Sequence, residues 1–283
     1  MKAILITGAS TGIGYATALS FARAGFQVIA TMRNLNKNKT LQENIKQEGL
    51  NIDIRQLDVT DDHSAETLVN DILNKYQKID ILINNAGFGF LGTLEQTSLS
   101  QAQEIMDVNF FGVWRLTQAV LPSMRKNKSG HIISITSVGG VIGQPFNDAY
   151  CAAKFAVEGM MESLAPVVRH FGIQVSLVEP GPVNSDFVSS TLNKSPDLHF
   201  DLENDYRTML DSYSQATRNA FTQLAQSPDD IAKCLLEIAT EEQAHFRYQT
   251  SEISKKIANL KFTDSTGNQV IALSGSRLPE IIN

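Results

Sequence analysis

The chain has 283 residues, 42% of them hydrophobic and 19% charged, with a formal net charge of −6. That length and apolar fraction suffice for one substantial core, and the acidic balance offers no footprint for nucleic acid. Cys151 and Cys234 give no disulfide framework and suit a reducing cytosol, so a cytoplasmic protein is expected, with no run of membrane-spanning length and a first strand too early for a signal peptide.

Residues 2–6, KAILI, form a short apolar, β-favouring run that breaks into TGASTGIG at 7–14 and continues as a helical pattern from Tyr15. Strand, glycine-rich turn and helix are the context a dinucleotide loop requires. Gly8 permits the tight turn, Gly12 the close approach of a pyrophosphate, and Gly14 the packing of helix on strand. Backbone N–H groups along Gly8, Ser10, Thr11, Gly12, Ile13 and Gly14 then face the phosphates at the helix N-terminus. The spacing is G-x-x-x-G-x-G rather than G-x-G-x-x-G, and the plain alternative is an ordinary strand-to-helix turn.

Residues 26–34 read as a second strand running to the ribose of an adenosine. NAD enzymes usually present a carboxylate there, whereas an arginine accommodates a 2′-phosphate. Met32 fills that position, Arg33 follows it, and Thr11 could add a hydroxyl; NADP is therefore expected in preference to NAD. The plain alternative for Arg33 is a solvated cation at a strand end.

The alternation continues. Residues 51–57 form a third strand ending in Asp58-Val59, and 61–76 a helix opened by an Asp-rich cap. Residues 79–83 are a buried-type strand ending in Asn84-Asn85-Ala86-Gly87; 98–128 read as one long helix and 131–136 as a strand ending at Ser137. A helix over 148–171, expected to kink at Pro166, leads to a strand at 173–179 that ends in Pro180-Gly181-Pro182. Short apolar strands alternating with helices imply parallel βαβ units with right-handed crossovers. The expected fold class is α/β: a Rossmann-like, doubly wound parallel sheet of about seven strands with helices on both faces. It forms a single domain over residues 1–250, followed by a C-terminal tail at 251–283.

Residues 186–226 interrupt the rhythm, mixing aromatics with Asp and Ser as a substrate lid would. A helix over 227–239 and an edge strand at 246–250 follow. Phe88, Phe90, Phe146, Phe155 and Phe187 could add an apolar wall, with Phe146 and Phe187 taken as substrate contacts, although scattered phenylalanines are mostly core. A small hydrophobic alcohol or ketone is the substrate they suggest.

Tyr150 and Lys154 stand four residues apart on the 148–171 helix, with Ser137 upstream. Side chains at i and i+4 share a face. A free phenol has a pKa of about 10, and a cation beside it favours the phenolate. A serine hydroxyl from another element could then fix a carbonyl or alcohol oxygen where the proton moves. With a hydride carrier, that trio is chemistry for carbonyl/carbinol interconversion. Cys151 reads as a packed thiol and His131 as a strand residue.

TGASTGIG, LDVTD, NNAG, DVNFFG, the Ser137–Tyr150–Lys154 set and PGPV, in order over residues 1 to 185, make the chain resemble the short-chain dehydrogenase/reductase family. The stretch from Ser137 to Ala165 most resembles the branch of estrogenic hydroxysteroid dehydrogenases and photoreceptor-type retinol dehydrogenases. The resemblance implies that Tyr150 is the general acid/base, that Lys154 lowers its pKa and holds the nicotinamide ribose, and that Ser137 positions the substrate oxygen. It implies that Asn109 anchors a water in a proton relay. It also implies adenine contacts at Asp58 and Val59, adenosine-side contacts at Asn85, Ala86 and Gly87, and nicotinamide-side contacts at Pro180, Gly181, Val183 and Ser185. Thr136 and the Asn184-Ser185 pair depart from the usual family residues. Plain alternatives are a capping or kinking Asn109, a turn-forming Ser137 and a helix-entry Asp58.

The resemblance also implies a homodimer or homotetramer built through the 98–128 and 148–171 helices. The activity expected is NADP-dependent hydride transfer between an alcohol and a ketone or aldehyde. A non-catalytic NADP-binding redox sensor or scaffold, and a dehydratase or epimerase on the same fold, are the other classes compatible with the sequence. No metal site is expected.

Overall fold

The computed structural model describes residues 1–185, 187, 191 and 204–279. Seven parallel strands run β1 (Ala3–Ile6), β2 (Gln27–Met32), β3 (Ile52–Gln56), β4 (Ile81–Asn84), β5 (Gly130–Ile135), β6 (Ile173–Glu179) and β7 (Arg247–Gln249). Their order across the sheet is β3-β2-β1-β4-β5-β6-β7. Ile4 pairs with Val28 on one side and Ile81 on the other, so β1 lies between the two halves of the winding. The order reverses between β1 and β4, where such sheets open a crevice at their carboxyl ends.

Both faces are covered, which explains why β1 and β4 are buried at every position rather than alternating with polar residues. Along β1, Ala3 and Leu5 face the layer of α3 (Asp62–Tyr76), α5 (Gly112–Asn127) and α6 (Asp148–Arg169). Ile4 and Ile6 face α1 (Gly12–Arg23), α2 (Lys39–Glu48) and α8 (Pro228–Thr240). The helices begin where side chains can replace their missing acceptors. Asp61 caps α3 through the His63 and Ser64 N–H groups, and Ser227 forms a reciprocal capping box with Asp230 at α8.

One sequence expectation is revised. Residues 98–128 are not one helix: α4 (Leu99–Met106), capped by Ser98 and Gln101, passes through a π-turn at Asp107–Phe111 before α5. The extra residue in that turn carries Asn109, buried at 0% exposure, whose amide meets the backbone after β4. A regular α-helix would rotate it away; π-bulges frequently mark such functional turns. The C-terminal tail beyond β7 carries α9 (Glu252–Thr263) and α10 (Asn268–Gly275). Ile257, Ala258 and Val270 pack on Val138, Val141 and Ile142 directly after Ser137. Pro166 lies within α6, which continues to Arg169. In the span read as a lid, α7 (Asn204–Leu224) is helical, whereas 186, 188–190 and 192–203 lie outside the described residues. None of the described helices is long and apolar enough to cross a membrane.

Candidate active site

The glycine turn between β1 and α1 is shaped by contacts no larger residue could make. Gly8 has φ +69°, and a Cβ there would lie 2.8 Å from the Cα of Ala86. A Cβ on Gly14 would lie 2.5 Å from both Asn85 Nδ2 and the Gly8 carbonyl. Gly12, also left-handed at φ +59°, instead faces Ser185, whose Cβ is 3.4 Å from the position a Cβ would take. Asn85 donates through Nδ2 to the carbonyls of Thr7 (2.8 Å) and Gly8 (3.0 Å). Its amide is thus directed at the turn itself, beneath the surface a nucleotide would touch. Thr7, which the sequence reading passed over, accepts from the Asn85 and Ala86 N–H groups at 2.9 Å each and ties β1 to the end of β4.

The first turn of α1 carries no acidic residue, and Thr11 makes no side-chain cap. Ser10, Thr11 and Ile13 therefore surround a helix N-terminus whose N–H groups are open to an external acceptor. Open N–H groups, an exposed Thr11 hydroxyl and a left-handed glycine fit a dinucleotide pyrophosphate.

At the ends of β2 and β3, Met32 is buried in the core, leaving Arg33 as the first exposed side chain. Asp58 accepts from the Thr60 N–H (3.0 Å) and hydroxyl (2.8 Å). Partial burial would raise its carboxyl, but these bonds and the nearby Arg33 and Arg115 charges hold it below the ordinary carboxylate range. Val59 lies against Gly112 of α5, and its carbonyl accepts from Arg115. The guanidinium and carboxylate thus share one edge of the crevice.

Gly87 lies over both Asn109 and Lys154: a Cβ there would be 3.1 Å from Asn109 Oδ1 and 3.7 Å from Lys154 Nζ. Asn109 donates to the Phe88 carbonyl (2.8 Å) and accepts from the Phe88 N–H (3.0 Å), so its side chain pins the β4 loop with both ends of the amide. Lys154 Nζ donates to the Ile135 carbonyl at 3.0 Å and lies 5.9 Å from the centre of the Tyr150 ring. The point where a Cβ of Gly139 would stand is 3.2 Å from Tyr150 Cε1 and 3.5 Å from Ser137 Oγ, which brings phenol and hydroxyl to one spot. Burial pushes the Tyr150 phenol above its ordinary range, and the Ser137 hydroxyl pulls it partly back. Burial pulls Lys154 down to about 8, with Glu158 opposing. The ring is only 8% exposed, and this desolvation is the main cause of the rise.

On the nicotinamide side, the buried Pro180 accepts from the Val138 N–H at 3.0 Å and Gly181 packs on Ser251 and Ser254. Val183 bridges to Gln226, and Ser185 faces the glycine turn. Phe187 meets Tyr150 edge to face at 5.8 Å. Phe146 does not join it; with φ +61° its ring packs on Tyr213 and Leu210 of α7. Phe88 and Phe90 pack with Ile105 and Ala153, whereas Phe155 faces outward. Cys151 is a buried thiol raised to about 11 by burial, and His131 accepts or donates to Ser176 within the sheet at 2.9 Å. Among the described residues no group of three metal-ligating side chains converges.

This arrangement of an open glycine turn and a buried tyrosine–lysine–serine set defines a class. The family model of short chain dehydrogenases matches residues 2–196, and the chain belongs to the short-chain dehydrogenase/reductase family. It is an oxidoreductase of that family, acting on CH–OH groups. Curated relatives include retinol dehydrogenase 8 of Bos taurus, 38% identical over all of this chain and 93% of that protein. Human 17-beta-hydroxysteroid dehydrogenase type 1 is 34% identical over 95% of this chain and 83% of its own length. Among solved structures, a short-chain dehydrogenase from Streptomyces avermitilis superposes with a TM-score of 0.79 at 26% identity, covering 97% of each chain. Two others, ElxO and a metagenomic short-chain oxidoreductase, are solved with NADP at 26% and 25% identity, TM-scores 0.73 and 0.70, over 89% and 88% of this chain and 99% and 95% of theirs.

Proposed function

We propose that the protein interconverts a small hydrophobic alcohol and its ketone or aldehyde with NADP, using Tyr150 as general acid/base. The observation that carries this reading is the convergence of Ser137 Oγ and the Tyr150 ring around Gly139, with Lys154 Nζ 5.9 Å from the ring centre. NADP over NAD rests on Arg33 standing exposed where Met32 has turned into the core. The bound dinucleotide supplies or takes up the hydride.

In the reductive direction Ser137 Oγ donates to the carbonyl oxygen and fixes it beside Tyr150. Tyr150, kept protonated by burial, gives that oxygen its proton as charge develops. Lys154, anchored on the Ile135 carbonyl, holds its ammonium near the resulting phenolate and would hold the nicotinamide ribose of a bound cofactor. Asn109 holds the 85–88 loop against Lys154 through Phe88. Phe187, edge-on to Tyr150, covers the site on its open side and favours an apolar substrate. Exposed Phe111 and Trp114 on the α4–α5 face (45% and 47%) support self-association as a homodimer or homotetramer, which light scattering after gel filtration would measure.

NADPH and NADH consumption with a panel of hydrophobic ketones and aldehydes tests the reading. Steady oxidation, faster with NADPH, is expected. NADPH binding without turnover of any carbonyl would instead identify a sensor or scaffold, and product formation without net cofactor oxidation a dehydratase or epimerase.

A further inference from the structure

We infer that Glu158, one helical turn beyond Lys154, is a positioning residue that locks the Thr136–Ser137 strand end onto α6 and supplies the carboxylate that keeps Lys154 an ammonium. The inference rests on the roles proposed for Ser137 and Lys154. Glu158 is 7% exposed and Glu179 beside it 0%; buried carboxylates of this kind persist only when several partners hold them. Oε1 of Glu158 accepts from the Thr136 hydroxyl at 2.6 Å. Thr136 is flanked by Ile135, whose carbonyl binds Lys154 Nζ at 3.0 Å, and by Ser137 itself. The turn after Ser137 lies directly on this pair: a Cβ on Gly140 would stand 3.3 Å from both Glu158 Cγ and Lys154 Cβ.

The other oxygen, Oε2, accepts from Arg247 Nε of β7 at 3.2 Å. Arg247 also binds Glu162 at 2.6 Å and approaches Glu179 Oε1 at 3.3 Å without a hydrogen bond, while Gln249 serves the other oxygen of Glu179 at 2.7 Å. The charged groups facing Glu158 are therefore Lys154 and Glu162 from α6, Glu179 from β6 and Arg247 from β7. Arg247 alone would satisfy a carboxylate that only fastened the sheet edge. The Thr136 bond and the packing of Gly140 turn this one toward the site. Burial draws Lys154 down to about 8, and Glu158 is the group opposing that fall. Burial also raises Glu158 itself, to about 7, and the Thr136 hydroxyl and Arg247 are the groups that pull it back toward the carboxylate.

The test uses the full chain with no substrate: the amine 15N shift of Lys154 is followed against pH in 15N-lysine-labelled protein, assigned with Lys154→Arg. Glu158→Gln, which keeps an acceptor for Thr136 and loses the charge, is expected to lower the Lys154 midpoint by about one pH unit. An unchanged midpoint overturns the charge role. In turnover, the alkaline limb of the kcat profile should shift to lower pH in Glu158→Gln, with KM for NADPH unchanged. Thr136→Val, nearly isosteric, should cost about tenfold in kcat through misplacement of Ser137, with KM for NADPH unchanged; normal kcat overturns the positioning role. If the wild-type chain reduces no carbonyl, the function proposed above fails while the amine titration still decides this inference. If wild type is active, Tyr150→Phe inactive and the Glu158 and Thr136 variants normal, only this inference fails.

Discussion

The two sides of the crevice are built by different means. Around the glycine turn, position is set by close contacts to the backbone: the Thr7 hydroxyl and the Asn85 amide bind backbone groups of Thr7, Gly8, Asn85 and Ala86 at 2.8–3.0 Å, with no room for a Cβ at Gly8 or Gly14. Over Tyr150, position is set by side-chain volume: Phe187 lies edge-on at 5.8 Å, while Phe146 packs apart from it with Leu210, Tyr213 and Leu278. Substitutions on the first side should therefore break function outright, and those on the second should tune it. The Ser137–Tyr150–Lys154 set proposed as catalytic lies at the junction, carried by the end of β5 and by α6, with Phe187 edge-on to Tyr150.

The largest effect belongs to that junction. Tyr150→Phe should lower kcat about 10³-fold or more, the scale of a general acid, while NADPH still quenches or transfers protein fluorescence as in wild type. Retained turnover would remove the phenol from the chemistry. Next comes the backbone-built side. Gly14→Ala places a methyl 2.5 Å from Asn85 Nδ2 and the Gly8 carbonyl, and should cost about 1–3 kcal/mol of stability, read as a lower Tm, together with loss of NADPH binding. A variant that binds NADPH normally would show that the turn yields more than its contacts suggest.

Arg33→Ala should raise KM for NADPH about 10-fold to 100-fold, as loss of a charge-assisted hydrogen bond does, with KM for NADH little changed. Equal effects on both cofactors would return Arg33 to a solvated cation. The smallest change is expected on the volume-built side. Phe187→Ala removes an edge-to-face contact and should raise KM for an apolar substrate several-fold, about 1 kcal/mol, with kcat nearly intact. A collapse of kcat there would make the ring part of the catalytic geometry and erase the contrast between the two sides.

What could be read beforehand follows the same division. The glycine turn, the strand ends and the Tyr150–Lys154 spacing were legible because steric exclusion and helical periodicity act within a few residues. The break at Asp107–Phe111 was legible only in part, as an Asn109 able to kink the helix among weak helix formers; the π-turn itself depends on the long-range Asn109–Phe88 pairing. Asn85 reads as a ligand contact in sequence but aims its amide at the turn, a long-range choice made by β1–β4 pairing. Phe146 and Phe187 look alike as letters and part company in space because of the left-handed backbone at Phe146. The buried Glu158–Arg247–Glu179 group left no local trace: its members come from α6, β7 and β6 and meet only through the sheet order. The helices after β7 were equally silent, because α10 has little amphipathic pattern and gains its place by packing Val270 under the Ser137 turn.

The central claim, hydride delivery to a carbonyl carbon with the proton moved by Tyr150, is tested most directly by mass spectrometry of product formed from NADPH deuterated at both C4 positions. The account predicts one deuterium on the carbinol carbon in the wild-type reaction and essentially none above background with Tyr150→Phe. Deuterium transferred undiminished by Tyr150→Phe, or a wild-type product carrying none, would contradict it.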